Sequence, residues 1–267
     1  MGMHHPASFD ACASDGISVQ FDPLSTLRNN AAGWVVAYSG GVDSTALLLS
    51  ARSLLTRLDS DSLPELVALH VNHAMQEDAD GWERHCVDTA NRLGVSCEVR
   101  HAEVKVRSGE GPEAAARKAR YQVFESFLVD GDLLLQGHNA DDRIETWLLH
   151  TLRGSGPRGL ASIPASRQLG QAALWRPLMT SSRAEIEAYV RGAGIPWIED
   201  PSNQDTTLDR NYLRTELLPI LERRWPRYRD AFSRSIDLAA DQQGDYELWL
   251  KTVISNATSR GPHGEPC

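Results

Sequence analysis

Residues 35–50 read Val-Val-Ala-Tyr-Ser-Gly-Gly-Val-Asp-Ser-Thr-Ala-Leu-Leu-Leu-Ser, and this stretch decides the fold. The apolar run Val35–Ala37 is typical of a buried parallel strand. Residues 39–44 then predict a turn, and residues 45–55 carry the leucines and alanines of a helix. A strand, a glycine-rich turn and a helix in this order predict an anion site, because glycines let the backbone approach the anion and the first N–H groups of a helix lack intrahelical partners.

The side chains of this turn indicate which type of anion-binding loop it forms. Ser39, Ser44 and Thr45 supply hydroxyl donors, and the turn lacks the Gly-Lys-Ser/Thr sequence of a Walker-type phosphate loop. Asp43 within an anion site indicates that a metal ion accompanies the phosphates. A tight turn with chance glycines is the alternative. The pattern Ser-Gly-Gly-x-Asp-Ser after a strand resembles the pyrophosphate loop of the ATP pyrophosphatases, which implies cleavage of ATP into AMP and pyrophosphate.

The composition is typical of a globular protein from a reducing compartment. Of the 267 residues, 41% are hydrophobic and 24% are charged. No apolar run reaches the roughly 18 residues of a membrane helix, and residues 1–10 lack the pattern of a signal peptide. The cysteines lack zinc-site or Cys-x-x-Cys spacing, since they are Cys12, Cys86, Cys97 and Cys267. We therefore expect a cytoplasmic protein without membrane contact.

The charge is unevenly distributed along the chain. The net charge of −9 argues against attraction of the whole molecule to nucleic acid. Residues 150–230, in contrast, hold 12 basic and 9 acidic residues. A local basic surface can bind a phosphate backbone although the total charge is negative, but an ordinary solvated surface explains this small excess equally well.

Strands and helices alternate along the first 152 residues. Apolar runs predict strands at 35–37, 66–71, 95–100 and 133–137. Helical periodicity predicts helices at 45–55, 78–93, 113–129 and 140–152. This alternation predicts an α/β fold with a doubly wound, mostly parallel sheet. Ligands of such sheets bind at the carboxyl ends of the strands, which is where we expect Ser39, His70, Gly137 and His138.

The remaining third predicts further helices around polar loops. Ser182 and Glu185 form a capping-box pattern for a helix that ends at Gly192. Helices are also predicted at 211–221 and 230–255. We divide the chain into a disordered leader at 1–22, a catalytic domain at 23–222 and a small helical appendage at 223–267. The last part is alternatively the truncated start of a C-terminal domain.

Two polar groups lie on predicted helices. Asp142 and Glu145 are three residues apart and share one face in the first turns of a helix. Helix capping explains one such carboxylate, whereas a cation site explains both. Arg117 shares a helix face with Tyr121, which predicts either a solvated surface or, beside a nucleotide, an arginine that stabilises a transferred phosphate. The strand-end sequence His70-Val-Asn-His73 is either structural or part of the site.

The ordered set of these segments resembles the tRNA(Ile)-lysidine synthases. The resemblance covers about residues 30–225. The matching segments are Ser39–Ser44, His70–His73, Glu113 with Ala116-Arg117 and Arg120-Tyr121, His138 with Asp141-Asp142 and Glu145-Thr146, Arg153–Gly156, Gly159-Leu160, Arg176–Leu178, Glu199–Asn203, and Arg210-Asn211 with Arg214.

The resemblance implies a fold, a reaction and a set of site residues. The fold is the adenine nucleotide alpha hydrolase-like PP-loop domain, and the reaction is ATP-dependent ligation of free lysine to C2 of the wobble cytidine of tRNA(Ile) with a CAU anticodon. An adenylated cytidine is the intermediate, and AMP and pyrophosphate are released. ATP and Mg2+ are the implied cofactors, with Asp43 near the metal. The loop implied to hold the ATP pyrophosphate consists of Ser39, Gly40, Gly41, Val42, Asp43 and Ser44.

The resemblance also implies the residues that contact the substrates. Asp142 and Glu145 are implied to hold lysine, and Arg117 is implied to lie beside a phosphate. Only the neutral amine of lysine is a nucleophile, so we hypothesise that one of these carboxylates, or Asp141, also accepts its proton. The expected tRNA contacts are Arg153, Arg158, Arg210, Arg214 and Arg224. The helices after residue 200 are a candidate homodimer surface.

The sequence departs from the family pattern at two places. Residues 74–76 are Ala-Met-Gln where the family often has Gly-Leu-Arg, and barely 40 residues follow the last matching motif. The chain is thus either a short form or truncated. The alternative functions are another PP-loop enzyme, similar to NAD synthetase or a tRNA thiolase, and a fragment that binds ATP or tRNA without turnover. The four unpaired cysteines argue against the thiolase.

Overall fold

A computed structural model describes residue 24 and residues 31–58, 63–74, 78–109 and 111–258. The predicted leader at 1–22 lies outside these residues. Six strands form one sheet in the order β3-β2-β1-β4-β6-β5, and all neighbouring pairs are parallel except β5 with β6. The strands are β1 (Gly33–Ala37), β2 (Glu65–Asn72), β3 (Ser96–His101), β4 (Leu133–Leu135), β5 (Ser166–Leu169) and β6 (Ala172–Trp175). The predicted mostly parallel sheet is therefore confirmed.

The helices alternate with the strands and then continue alone. The α-helices are α1 (Val42–Arg57), α2 (Ala79–Arg92), α3 (Pro112–Phe127), α4 (Ala140–Leu152), α5 (Pro157–Leu160), α6 (Arg183–Gly192), α7 (Asp209–Tyr212), α8 (Leu218–Arg224) and α9 (Tyr228–Thr258). Short 3-10 helices cover Pro177–Thr180 and Pro201–Gln204, and a π-helical segment, Leu213–Leu217, connects α7 to α8. The capping box predicted at Ser182 and Glu185 is confirmed at the start of α6.

The hairpin of β5 and β6 was not expected from the sequence. Each strand has only four residues, and three of the four residues of β5 are exposed. Gly170 turns the chain between them with a φ of +58°, a conformation that favours glycine. The hydrophobic pattern of such a short strand has too few alternating positions to distinguish it from a loop. In the structure β6 is identified as a strand by its pairing with β4.

Both faces of the sheet are covered, as expected for a doubly wound fold. On one face α1, α2 and α6 pack around Val36, Leu47 and Ile186. On the other face α3 packs through Phe124 and Leu128. Because β1, β2 and β4 are parallel, the turns that follow them meet at the same edge of the sheet. Residues 39–44 and 136–139 are thereby brought together.

The predicted C-terminal helical segment is confirmed as α9. Its first turns pack on α4 through Tyr228 and Ile236, together with Ile144. Farther along, α9 exposes a series of large apolar side chains. They are Leu238, Tyr246, Leu248, Trp249, Leu250, Val253 and Ile254. Across the described ranges, every helix is too short or too polar to cross a bilayer.

Asp141 connects three helices near the start of α4. One carboxylate oxygen accepts a hydrogen bond from the N–H of Arg183, the first residue of α6, at 3.1 Å. The other accepts one from Nε of Arg229 in α9 at 2.8 Å. Arg229 in turn donates to Glu222 of α8 at 2.7 Å. Since the Asp141 side chain is only 9% exposed, this pair is shielded from water and fixes α6 and α9 against α4.

We predict that Asp141→Asn lowers the free energy of unfolding by about 1–3 kcal/mol, because a buried charged hydrogen bond to Arg229 is lost. Urea denaturation followed by circular dichroism measures this loss. Asp237→Asn is the matched control, since Asp237 also binds an arginine across α4 and α9, Arg143, but is 59% exposed. Its loss should stay below about 1 kcal/mol, and equal losses in the two variants would contradict the role assigned to Asp141.

Candidate active site

The turn between β1 and α1 has the local geometry expected of an anion site. Gly40 adopts a φ of +81°, in the region that favours glycine. The hydroxyl of Ser44 accepts a hydrogen bond from the N–H of Ser39 at 3.2 Å and donates to the carbonyl of Gly41 at 3.0 Å. Gly41 provides no side-chain cap for α1, so the N–H groups of the first turn are left to a ligand.

The space around Gly40 also requires glycine. A Cβ at this position would lie 2.7 Å from Cδ1 of Ile198 and 2.9 Å from Sγ of Cys86. The N–H of Ile198 donates to the carbonyl of Gly40 at 2.8 Å. The segment before residue 200, which belongs to the family resemblance, therefore packs directly on the turn.

Gly137, after β4, lies against the first turn of α1. A Cβ there would lie 3.0 Å from the carbonyl carbon of Asp43 and 3.1 Å from the nitrogen of Ser44. Because both neighbours are backbone atoms, neither can rotate away as a side chain could. The close approach brings the start of α4 to the anion turn.

Asp43 connects the turn to two later helices. Its carboxylate accepts hydrogen bonds from Nη1 of Arg183 at 2.8 Å and from Nδ2 of Asn139 at 2.9 Å. Asn139 is also the N-cap of α4, and it forms a capping box with Asp142. Burial raises the pKa of Asp43, and the Asp142 carboxylate raises it further, whereas Arg183 lowers it. The carboxyl groups of residues 43 and 142 are thus electrostatically coupled.

The carboxylates Asp142 and Glu145 do share one face of α4, and a guanidinium group lies on them. Arg214 donates from Nε to Glu145 at 2.8 Å, and from Nη2 to Glu145 at 3.0 Å and to Asp142 at 3.2 Å. Nε of Arg210 lies 3.3 Å from Glu145, and its Nη2 donates to Thr146 at 2.8 Å. Two of the arginines expected to contact tRNA thus lie on this pair.

The π-helical segment at 213–217 carries Arg214. A π-turn inserts one residue into a helix and is frequent at functional sites, since it redirects the side chains that follow. Asn211 fixes the preceding loop by donating to the carbonyls of Ser202 at 2.8 Å and Asp205 at 2.9 Å. The helix that delivers the arginine is therefore anchored on its N-terminal side.

Two titratable groups beside the carboxylate pair have shifted pKa values. Burial raises the pKa of Glu145 to about 7, although the hydrogen bond and charge of Arg214 lower it. Burial also lowers the pKa of His138 to about 4. Nδ1 of His138 accepts a hydrogen bond from Nε of Arg176 at 3.2 Å, so the imidazole is neutral and carries its proton on Nε2.

Most of the other predicted residues lie outside this cluster. Arg117 lies over the ring of Tyr121, with 5.4 Å from its guanidinium carbon to the ring centre. Arg153 pairs with Asp209 at 2.9 Å, and Arg224 lies over Trp225. Arg158 is exposed in α5, as are the side chains of Arg153 and Arg224.

The end of β2 forms a separate polar group. His70 is buried, its Nδ1 lies 3.0 Å from the carbonyl of Tyr38, and burial lowers its pKa. His73 lies 2.9 Å from Nη2 of Arg120. Ala74 has a φ of +51°, which explains why the family often has glycine there. Of the departing segment at 74–76, the last two residues lie outside the described part of the chain.

Arg183 and Asn139 belong to this cluster, although neither is among the site residues expected from the sequence. Arg183 lies 140 residues from Asp43 along the chain. Its one local signal is a cation in the first turn of α6, where the helix dipole disfavours positive charge. Asn139 followed by Asp142 matches a capping box, so its role at the start of α4 was recognisable, but its bond to Asp43 was not.

Comparison with known proteins finds a family model and relatives that match most of this chain. A family model described as a PP-loop domain matches residues 17–221. A protein of Alkalilimnicola ehrlichii named tRNA(Ile)-lysidine synthase is 47% identical over 234 residues, which cover 88% of this chain and 51% of the relative. One of the same name from Pseudomonas aeruginosa is 50% identical over 197 residues, covering 73% of this chain and 43% of the relative. The chain spans about half the length of the curated relatives it matches.

A solved structure supports the fold alone. The U34-tRNA thiolase NcsA from Methanococcus maripaludis is similar with a TM-score of 0.66 and 16% identity, covering 80% of this chain and 73% of that one. At this identity the likeness concerns the arrangement of strands and helices and does not extend to the chemistry.

We predict that Gly137→Ala weakens ATP binding about tenfold or more. The added Cβ would press on the backbone of Asp43, and overpacking of this kind costs about 1–3 kcal/mol. Isothermal titration calorimetry measures the affinity. Gly156→Ala is the control, since no heavy atom lies within 4 Å of its Cβ. Unchanged affinity in Gly137→Ala would show that the anion turn does not depend on this contact.

Proposed function

This chain belongs to the PP-loop domain family, and on that premise we propose that it ligates free lysine to C2 of the wobble cytidine of tRNA(Ile) with a CAU anticodon. The observation that carries the proposal is the hydrogen bond that Asn139 donates to Asp43, because it joins the predicted anion turn to a carboxylate pair that already binds the guanidinium of Arg214. The reaction needs both, since it consumes ATP and an amine. The relatives named tRNA(Ile)-lysidine synthase support the same choice.

The turn at 39–44 is the proposed ATP site. Its free N–H groups, with the hydroxyls of Ser39 and Ser44, would bind the pyrophosphate part of the nucleotide. Across the residues that the structure describes, no three His, Cys, Asp or Glu side chains are grouped as metal ligands. Mg2+ would be held by Asp43, whose oxygens also accept hydrogen bonds from Arg183 and Asn139, together with the ATP phosphates and water. When bound, it neutralises charge on the phosphates.

The first proposed step is adenylation of the cytidine. The O2 atom of cytosine attacks the α-phosphate of ATP, the bond to the β-phosphate breaks, and pyrophosphate leaves. Arg117 is the proposed arginine beside the transferred phosphate, and it is exposed at the N-terminal end of α3 near the same edge of the sheet. Arg153, Arg158 and Arg224 are exposed and are the proposed peripheral tRNA contacts.

The second proposed step is attack by lysine. Asp142 and Glu145 would hold its ε-ammonium, since they already accept hydrogen bonds from another cation, the Arg214 guanidinium. The ammonium must lose a proton before it can attack C2 and expel AMP. Glu145 is the proposed acceptor because burial raises its pKa to about 7, which brings its basicity closer to that of the amine. Asp141 is not the proposed acceptor, because its bonds to Arg183 and Arg229 fix α6 and α9 on α4.

The described cysteines do not favour the thiolase alternative. Cys86 and Cys97 are free thiols, and burial raises the pKa of Cys97 to about 11 and that of Cys86 still further. Sulfur transfer relies on thiolates, which such environments disfavour. The other two cysteines, Cys12 and Cys267, lie outside the described ranges.

AMP release from ATP tests the proposal directly. Purified chain is incubated with ATP and Mg2+, with and without lysine and with and without an unmodified CAU transcript of tRNA(Ile). We expect AMP only when both substrates are present. Release that is independent of lysine would indicate another PP-loop enzyme, and ATP binding without any release would indicate a fragment that binds without turnover.

We predict that Glu145→Gln slows the transfer step at saturating lysine about a hundredfold or more, which is within the range for loss of a general base. In the wild-type protein the rate should rise with pH through about 7, because the base acts when deprotonated, and the variant should lose this rise. Single-turnover measurements on pre-adenylated tRNA between about pH 5.5 and 8.5 separate the effects. A defect confined to the KM for lysine would contradict the base role.

A further inference from the structure

Arg176 is a buried cation, and no carboxylate among the described residues pairs with it. Its side chain lies in a residue that is only 2% exposed. It donates to the carbonyl of Pro164 at 2.7 Å, to Oε1 of Gln136 at 3.1 Å, to the hydroxyl of Tyr121 at 3.3 Å and to Nδ1 of His138 at 3.2 Å. All four partners are uncharged, and no ion pair to Arg176 occurs within the described ranges. Buried charged side chains are ordinarily paired with an opposite charge, and Arg176 departs from this rule. Its positive charge is therefore not balanced by its hydrogen-bond partners.

Two further guanidinium groups lie beside the same tyrosine. The guanidinium carbon of Arg167 lies 4.9 Å from the centre of the Tyr121 ring, and that of Arg117 lies 5.4 Å from it. Both arginines are exposed, and neither forms an ion pair with a residue that the structure describes. Burial raises the pKa of the Tyr121 hydroxyl, but Arg117 and Arg176 outweigh this effect and lower it. Three cations therefore surround one phenol.

Two carboxylates, Asp142 and Glu113, act on neighbours of this group. The charge of Asp142 acts on His138, but Asp142 itself binds Arg214 at 3.2 Å. Glu113 acts on Arg120, the neighbour of Tyr121 in α3. An excess of positive charge thus persists at this point of a molecule whose net charge is −9.

The arginines lie beside the anion turn without belonging to it. Gln136 and His138, two partners of Arg176, flank Gly137, which packs on the backbone of Asp43. The arginines themselves lie on α3, on the edge strand β5 and after β6. Since β5 ends the sheet and Arg167 faces solvent, a ligand as large as a nucleic acid can approach this group.

We propose that the exposed Arg167, together with the charge of the buried Arg176, forms a second phosphate site beside Tyr121, which binds a phosphodiester of the RNA substrate next to the reacting nucleotide, while Arg117 remains the arginine of the transferred phosphate. Guanidinium groups bind phosphate through paired N–H donors, and several of them together hold an anion without a metal. This inference deepens the proposed function and rests on it. The α-phosphate of ATP offers the same chemistry, so the experiment separates the two sources.

The test uses Arg167→Gln, because Arg167 is exposed and its replacement leaves the core intact, whereas Arg176 is buried. The probe is a fluorescein-labelled anticodon stem-loop RNA with a CAU loop, and fluorescence anisotropy is recorded without ATP or lysine at several salt concentrations. We expect about tenfold weaker binding, as for one lost charged contact. The slope of log affinity against log salt concentration should fall by about one. ATP affinity from calorimetry should be unchanged.

Arg100→Gln is the matched control. Arg100 also lies over an aromatic ring, that of Phe127 at 5.3 Å, but its charge is already paired with Glu98 at 2.9 Å. RNA binding by this variant should equal that of the wild type.

Several outcomes overturn the inference. They are equal losses in the Arg167 and Arg100 variants, a loss of ATP affinity without a loss of RNA affinity, and an absence of RNA binding by the wild-type chain. Failure of the proposed function is distinguishable from these, because RNA binding is measured without turnover. The Arg167 variant could lose RNA affinity while AMP release by the wild type is independent of lysine. That combination would support the phosphate site and contradict lysine ligation.

Discussion

The site depends on the contact between Gly137 and the backbone of Asp43. Two strand-to-helix turns approach so closely there that a Cβ would lie 3.0 Å from a carbonyl carbon. The parallel pairing of β1 and β4 brings the two turns to one edge of the sheet, and the glycine lets them touch. The acidic start of α4 thereby comes within hydrogen-bonding distance of the anion turn, as the bond from Asn139 to Asp43 shows.

That proximity places several negative charges close together, and the helices after residue 180 supply the positive charges that balance them. Four carboxylates, those of Asp43, Asp141, Asp142 and Glu145, crowd the junction between α1 and α4. Each of them binds an arginine from a later part of the chain, and the partners are Arg183, Arg210, Arg214 and Arg229. The later helices therefore do more than enlarge the core, because without their guanidinium groups the buried carboxylates would be left unpaired or protonated.

The opposite imbalance occurs around Tyr121. There Arg117, Arg167 and Arg176 meet without a carboxylate partner in the described part of the chain, while His138 stays neutral between the two regions. Negative and positive groups thus lie on opposite sides of residues 136–139, which follow β4. The carboxylates lie toward α4, and the guanidinium groups around Tyr121 lie toward α3. This separation of charge suits the proposed reaction, because an ammonium group would bind to the carboxylates and phosphates would bind to the guanidinium groups.

The sequence by itself determined the parts of the protein that depend on local patterns. These are the anion turn, the alternation of strands and helices, the capping box of α6, and the placement of Asp142 and Glu145 on one helix face. Each follows from spacings of a few residues, and the structure contains all of them. Tertiary structure alone decided the partners: Arg183 for Asp43, Arg214 for Glu145, and the β5–β6 hairpin beside β4. Those pairings join residues far apart in the chain, and their energies arise from burial and charge in the folded state, which no local pattern encodes.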